Sequence, residues 1–138
     1  MANWNWFSKA HRAVYQRSGG RIGRSMMGIP MLLLTTVGRR SGIERTSPLA
    51  CFQDGEELVV VASNNGQERD PAWWLNLQAS PRAHVRLGRE EQAVQARRAT
   101  PEEHARLWPL LKQGNSHYGR YESLTKREIP VVILRRAD

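Results

Sequence analysis

The sequence predicts an α+β fold built on a largely antiparallel sheet or small barrel. Three observations carry that prediction. Short apolar and β-branched runs recur at 31–37, 58–62 and 130–134, the signature of buried strands. Tight-turn dipeptides rather than helices join several of them, Asp54-Gly55 above all. The alternation of strand and crossover helix that a doubly wound α/β fold needs is missing. The chain has 138 residues, 40% of them hydrophobic, which suits one core and one globular body. A division into an N-terminal helix and connector (1–30) and a sheet domain (31–138) is expected.

Residues 3–18 read as a helix, with Trp4, Phe7, His11, Val14 and Tyr15 on one stripe. Gly19-Gly20 stops it. Lys9, Arg12 and Arg17 are interleaved with the stripe. Such a helix either packs on the domain or lies on an anionic membrane. A Gly- and Arg-containing connector (21–30) leads to the first strand, 31–37. Two glycines, Gly38 and Gly42, then bracket Arg39, Arg40 and Ser41. A second strand is expected at 46–52 and a third at 58–62, turning at Asp54-Gly55. Ser63-Asn64-Asn65-Gly66 is a polar loop opening from a core strand, where sites are often carried. Asp70 as N-cap and Pro71 at the first helical position predict a helix that ends at Ser80-Pro81. Two short strands, 83–87 and 92–96, turn at Gly88. Thr100-Pro101-Glu102-Glu103 is a capping box opening a helix that Pro109 is expected to kink and Gly114 closes. Residues 115–126 predict a loop and short helix. The last strand begins at Pro130 and ends in the solvated pair Arg135-Arg136.

Charge is distributed unevenly. Of the formal +8, nearly all lies in residues 1–50, where eight basic side chains face Glu44 alone. Such asymmetry points to an anionic partner: a charged cofactor, a membrane surface or nucleic acid. No recognition motif for nucleic acid accompanies the charge. Cys51 is the only cysteine, so no intramolecular disulfide forms, and it reads as a buried packing thiol. His11, His84, His104 and His117 show no ligand spacing, and no metal site is expected. No apolar run approaches the roughly 20 residues needed to span a bilayer. The first residues lack a signal-peptide pattern, so a cytoplasmic location is expected, with membrane association through the N-terminal helix.

The chemistry concentrates in 37–48. A core strand delivers Arg39, Arg40 and Arg45 to one glycine-bracketed turn, with Ser41, Thr46, Ser47 and Pro48 beside them. Glycine lets backbone N–H groups face a ligand, and guanidinium forks match phosphate or carboxylate oxygens. The turn is therefore a candidate anion cradle, or a plain solvated basic hairpin. It contains neither a Walker loop nor G-x-G-x-x-G.

Four motifs in order carry a resemblance: L-L-L-T-T-x-G-R-x-S-G-x-x-R-T-x-P from Leu32, V-V-V-A-S-x-x-G from Val59, P-x-W-x-x-N-L-x-A-x-P from Pro71, and Y-x-x-Y-x-x-x-T-x-R-x-I-P-V-V from Tyr118. The chain resembles the deazaflavin-dependent nitroreductases, quinone and nitro reductases of actinobacteria that use coenzyme F420. The resemblance covers 31–134. It implies a split β-barrel of the FMN-binding-protein type with flanking helices. It implies an oxidoreductase passing hydride from reduced F420 to a quinone, nitro compound or activated alkene. It implies that Arg39, Arg40, Ser41, Arg45, Thr46, Ser47 and Pro48 hold the coenzyme's phosphate and polyglutamate tail. Val61, Ala62, Ser63 and Asn64 would lie along the ring, and Ala72, Trp73, Trp74, Leu75 and Asn76 would complete the wall. Ser63, Tyr118 and Tyr121 would face the acceptor, with Tyr118 also beside the cofactor. Asn115 stands where members of the family that the chain resembles carry a further Tyr, so activity on nitroimidazoles is not implied. Two alternatives stay open: an FMN-dependent reductase on the same barrel, and a non-catalytic deazaflavin-binding protein.

Overall fold

A computed structural model describes residues 30–137; the expected N-terminal helix and most of its connector lie outside the described residues. Seven strands form one antiparallel sheet: β1 Met31–Val37, β2 Glu44–Ala50, β3 Phe52–Asp54, β4 Glu57–Val61, β5 Arg82–Leu87, β6 Glu90–Arg98 and β7 Val131–Arg136. Their order across the sheet is β2-β1-β5-β6-β7-β4-β3. The two edge strands, β2 and β3, are neighbours in sequence, separated by Cys51 alone. Ala50 pairs with Met31 while Phe52 pairs with Val59 on the far edge. The sheet must therefore curl until its edges meet. The expected strand at 46–52 is thus two strands: it starts earlier, at Glu44, and divides at Cys51.

Curling separates two apolar layers. Leu32, Leu34, Leu58, Val60, Val85, Leu87, Val94, Val132 and Leu134 point inward. Helix α1 (Ala72–Ala79) adds Trp73, Trp74 and Leu77 to this interior. The alternate residues Val59, Val61, Val131 and Ile133 face outward, where α2 (Pro101–Gly114) and α3 (His117–Leu124) cover them with Leu107, Trp108, Leu111 and Tyr118. A strand covered on both faces reads as the unbroken apolar run seen in β4 and β7. Phe52, Tyr118, Trp108 and His104 form a column with centroid spacings of 6.1, 6.1 and 5.5 Å, the first pair tilted at 59° and the other two stacked.

Local signals explain the helix ends. Thr100 Oγ1 accepts from Glu103 N, and the Glu103 carboxylate accepts from Thr100 N. The helix runs on through Pro109 to Gly114. Helix α1 begins differently from the expectation. Pro71 occupies the cap position, and no side chain caps the helix. The Asp70 carboxylate accepts from Arg127 Nη1 instead, at 2.8 Å.

Glu103 also accepts a two-pronged bond from Arg97, at 2.7 and 2.9 Å. That pairing, with the Thr100 amide, holds its carboxyl down at about 2 against an ordinary 4.5. A carboxyl depressed on folding stabilises the fold above its unfolded value and loses that contribution as pH falls. The melting temperature of the native chain is therefore expected to drop between pH 4.5 and about 2 by more than that of Glu103→Gln. A calorimetric pH series on the two proteins measures the difference.

Candidate active site

The β1–β2 turn is built by glycine geometry. Gly42 sits at φ +72° and donates to Gly38 O, while Gly38 N donates to Ile43 O, both at 2.9 Å. A Cβ on Gly38 would meet Ser41 Oγ at 2.6 Å. Ser41 Oγ in turn accepts from Ile43 N at 3.1 Å. Ser41 therefore braces the turn from within.

The residues that follow the turn do not lie on one surface. Strand register sets Arg45 opposite Thr36, Ser47 opposite Leu34, and Thr46 opposite Thr35. Thr36 and Leu34 are buried inward-facing positions, so Arg45 and Ser47 belong to the barrel's inner face. Thr46 and Pro48 belong to the outer face, where Thr46 Oγ1 meets Thr35 Oγ1 at 2.9 Å. Sequence adjacency had grouped all four. The two-residue period of a strand separates them.

Asn76 ties this turn to α1. Its Oδ1 accepts from Arg39 N at 3.2 Å and from Arg39 Nη1 at 3.0 Å. Its Nδ2 donates to Thr36 Oγ1 at 3.1 Å. The amide is 4% exposed and is held on both ends. Asn76 thus fixes the Arg39 guanidinium, a role that only the fold discloses. Arg40 and Arg45 have no carboxylate partner among the described residues. Trp74 Nε1 is the one buried side-chain polar atom lacking a hydrogen-bond partner there. Trp73 is buried beside it, Leu75 is half-buried, and Ala72 is exposed.

The second group of expected residues lies where β4 ends. Ala62 N donates to Pro130 O, extending the ladder by one bond. Val61 faces the outer layer and Ala62 the interior. Ser63, 8% exposed, precedes a turn in which Asn64 and Asn65 both take left-handed backbone angles, at φ 48° and 56°. Gly66 lets α3 close on this turn: a Cβ there would lie 3.1 Å from the Tyr121 Cα. Tyr121 is half-buried and stacks on His117. Tyr118 is 5% exposed between Phe52 and Trp108. Burial pushes its phenol up to about 12, opposed by a hydrogen bond from the Asn115 side chain. It remains a protonated donor at neutral pH. Cys51, 2% exposed, has its thiol pushed by burial to about 12 as well, which leaves it unreactive.

One residue of this site was missed. Arg127 lies in the quoted T-x-R-x-I-P motif, yet nothing in its spacing gave it a partner. In the fold its guanidinium reaches Ala62 O, Ser63 O, Gln67 O and the Asp70 carboxylate. Among the described residues, no group of His, Cys, Asp and Glu is arranged to hold a metal ion, and no helix is long and apolar enough to cross a membrane.

Comparison with known proteins places this geometry. Residues 6–136 match the F420H(2)-dependent quinone reductase family. The chain belongs to that family. It is 38% identical over 132 residues to an F420H(2)-dependent quinone reductase of Mycobacterium tuberculosis, covering 93% of this chain and 89% of that protein. The solved structure of an F420-H2 dependent reductase, FDR-A, superposes with a TM-score of 0.70 at 33% identity, covering 77% of this chain and 94% of the other. A haem-storage protein of Vibrio cholerae, 13% identical, shares the fold with a TM-score of 0.56 over 78% of this chain and 82% of its own. The split barrel expected from the sequence is thus the family's fold.

Asn76→Ala strands the Arg39 amide and the Thr36 hydroxyl in a poorly solvated place. An unsatisfied buried group costs about 1–3 kcal/mol, so urea denaturation is expected to show a loss within that range. Asn76→Asp should lose less in protein stability, since its carboxylate still accepts both Arg39 bonds.

Proposed function

We propose that the protein is an F420-dependent reductase that passes hydride from the reduced deazaflavin to a quinone, with nitro compounds and activated alkenes as further acceptors. The observation that carries the reading is the Arg39–Asn76–Thr36 chain of hydrogen bonds, which fixes a guanidinium at the mouth of the barrel beside Arg40 and Arg45. Membership of a family named for F420H(2) supports it. The residues suit such a coenzyme. Cations without carboxylate partners favour a polyanionic tail, and the unpartnered Trp74 Nε1 favours a group rich in acceptor oxygens.

When bound, the deazaflavin supplies a two-electron hydride donor. The protein's own work is to bind, orient and stabilise. Arg39 is held in place before binding, so less entropy is lost when it meets an anion. Arg45 and Ser47 add donors on the inner face, Arg40 and Ser41 add theirs at the turn, and Thr46 and Pro48 shape the outer edge. The strand end Val61-Ala62-Ser63-Asn64 and the α1 residues Ala72, Trp73, Trp74 and Leu75 border the ring. Hydride arriving at a quinone leaves negative charge on its oxygen. Ser63, Tyr118 and Tyr121 supply hydroxyls on that side, and a donor preset for developing charge lowers the barrier. An N-terminal basic helix on an anionic membrane would bring the enzyme to lipid-soluble quinones.

Oxidation of reduced F420 by menadione tests the assignment directly; no turnover would leave a binding protein. Arg45→Ala is expected to raise the deazaflavin dissociation constant by about tenfold, since a charge-assisted hydrogen bond contributes roughly 1.5–3 kcal/mol and exposure favours the lower end. Deazaflavin binding should weaken with added salt more steeply than FMN binding, because FMN carries a single phosphate. Fluorescence titration at two ionic strengths reads both effects. Tighter binding of FMN than of F420 would favour the FMN reductase.

For the acceptor side, Tyr118→Phe is expected to lower turnover more than it weakens cofactor binding. The loss for a well-placed donor is about 2.7–4 kcal/mol. Unchanged turnover would leave Tyr118 as the middle of an aromatic column.

A further inference from the structure

We propose that Arg127 is the positioning residue of the hydride-transfer site, acting by clamping the loop that carries Ser63. This deepens the reading above and rests on it, since it takes the deazaflavin ring to lie beside Ser63.

The geometry is specific to a guanidinium. Nη2 donates to Ala62 O at 3.2 Å and to Ser63 O at 2.9 Å. Nε donates to Gln67 O at 2.9 Å, and Nη1 to the Asp70 carboxylate at 2.8 Å. One rigid plane thus joins the end of β4 to the far side of the loop. The side chain is only 15% exposed, so these bonds are poorly exchanged for water. A lysine has one nitrogen on a flexible stem and cannot reach all four acceptors at once.

The loop needs such a clamp. Asn64, Asn65 and Gly66 take positive φ angles of 48°, 56° and 80° in succession. For residues other than glycine, each such conformation costs free energy and persists only where surrounding contacts over-determine it. Local bonds supply part of that: Gly66 N to Ser63 O, Gln67 N to Asn64 O, and Asn64 Nδ2 to Arg69 O. Helix α3 closes over Gly66 from one side. Arg127 is the contact that ties both ends of the strained segment to one group. Ser63 is therefore held by a residue more than 60 positions away in sequence. Asp70 balances the charge of that group, which explains why it is not free to cap α1. Precise placement matters here because a displacement of about 1 Å at a reacting centre can cost on the order of a hundredfold in rate.

The test compares Arg127→Lys, Asp70→Ala and Leu107→Ala with the native protein. Leu107→Ala serves as a control, since it weakens the outer layer without touching the loop. Three quantities are read: amide exchange over 62–67, the deazaflavin dissociation constant, and the single-turnover rate of hydride transfer to menadione. Arg127→Lys is expected to accelerate exchange over 62–67 and to slow hydride transfer by about tenfold to a hundredfold. Its dissociation constant should stay near the native value, because the arginine cradle is untouched. Leu107→Ala should lower the melting temperature while leaving the rate per folded molecule native. A native rate or native exchange in Arg127→Lys overturns the proposal. So does an equal slowing in Leu107→Ala at the same loss of melting temperature. If Arg127→Lys does not fold, Asp70→Ala decides, because it keeps the three carbonyl bonds and removes the fourth acceptor: faster exchange with slower transfer supports the clamp, and native values for both overturn it. Absence of turnover in the native protein is a separate result and overturns the functional reading itself.

Discussion

Everything in this fold follows from one covalent constraint, the passage of the chain through Cys51. The residues on either side of it hydrogen-bond to opposite edges of a seven-stranded sheet. A flat sheet of that width cannot bring its edges within one residue of each other, so the sheet must curl. Curling creates an inside and an outside, and the strand period of two then sorts every side chain between them. Cys51 is suited to this place because it is small and apolar. It is packed away at the closing seam, and its backbone N–H is satisfied by Pro30 O at 2.9 Å.

The site is a consequence of that sorting. Arg45 and Ser47 reach the inner face because they lie opposite Thr36 and Leu34. Helix α1 plugs the interior with two tryptophans and a leucine, and the same packing presses Asn76 against the β1–β2 turn. A buried amide satisfied at both ends is worth more for placement than for stability. Its value is that Arg39 has one orientation. The loop after β4 is organised by Arg127, whose guanidinium bonds to three backbone carbonyls and one carboxylate. The β1–β2 turn and the loop after β4 thus each have a buried or largely buried polar anchor behind them.

The outer layer plays a different part. Helices α2 and α3 cover the face of β4 and β7 that the barrel does not use. Trp108 donates from Nε1 to Glu122 at 2.7 Å, which joins the two helices. Because α3 is held there, its Tyr121 backbone can rest on Gly66. Tyr121 and the loop after β4 are therefore linked through packing of backbone on backbone.

Much of this was legible in the sequence, for physical reasons. Strands β1, β4 and β7 announced themselves because continuous β-branched runs have few other solutions. The capping box at Thr100 and the turn glycines acted through neighbours in sequence, and such short-range signals survive folding. The motifs around the arginine turn, the β4 end and the two tyrosines were enough to indicate the family and its barrel. What the sequence left undecided depends on register and long-range contact. Asp70 looked like a cap because Asp before Pro usually is one; a guanidinium 57 residues away took its carboxylate instead. Arg45-Thr46-Ser47-Pro48 looked like one patch until pairing with β1 put alternate members on opposite faces. Asn76 was legible only as one residue of a cofactor wall and Arg127 as an ordinary polar residue, because a side chain's partners are set by groups that only the closed barrel brings within its reach.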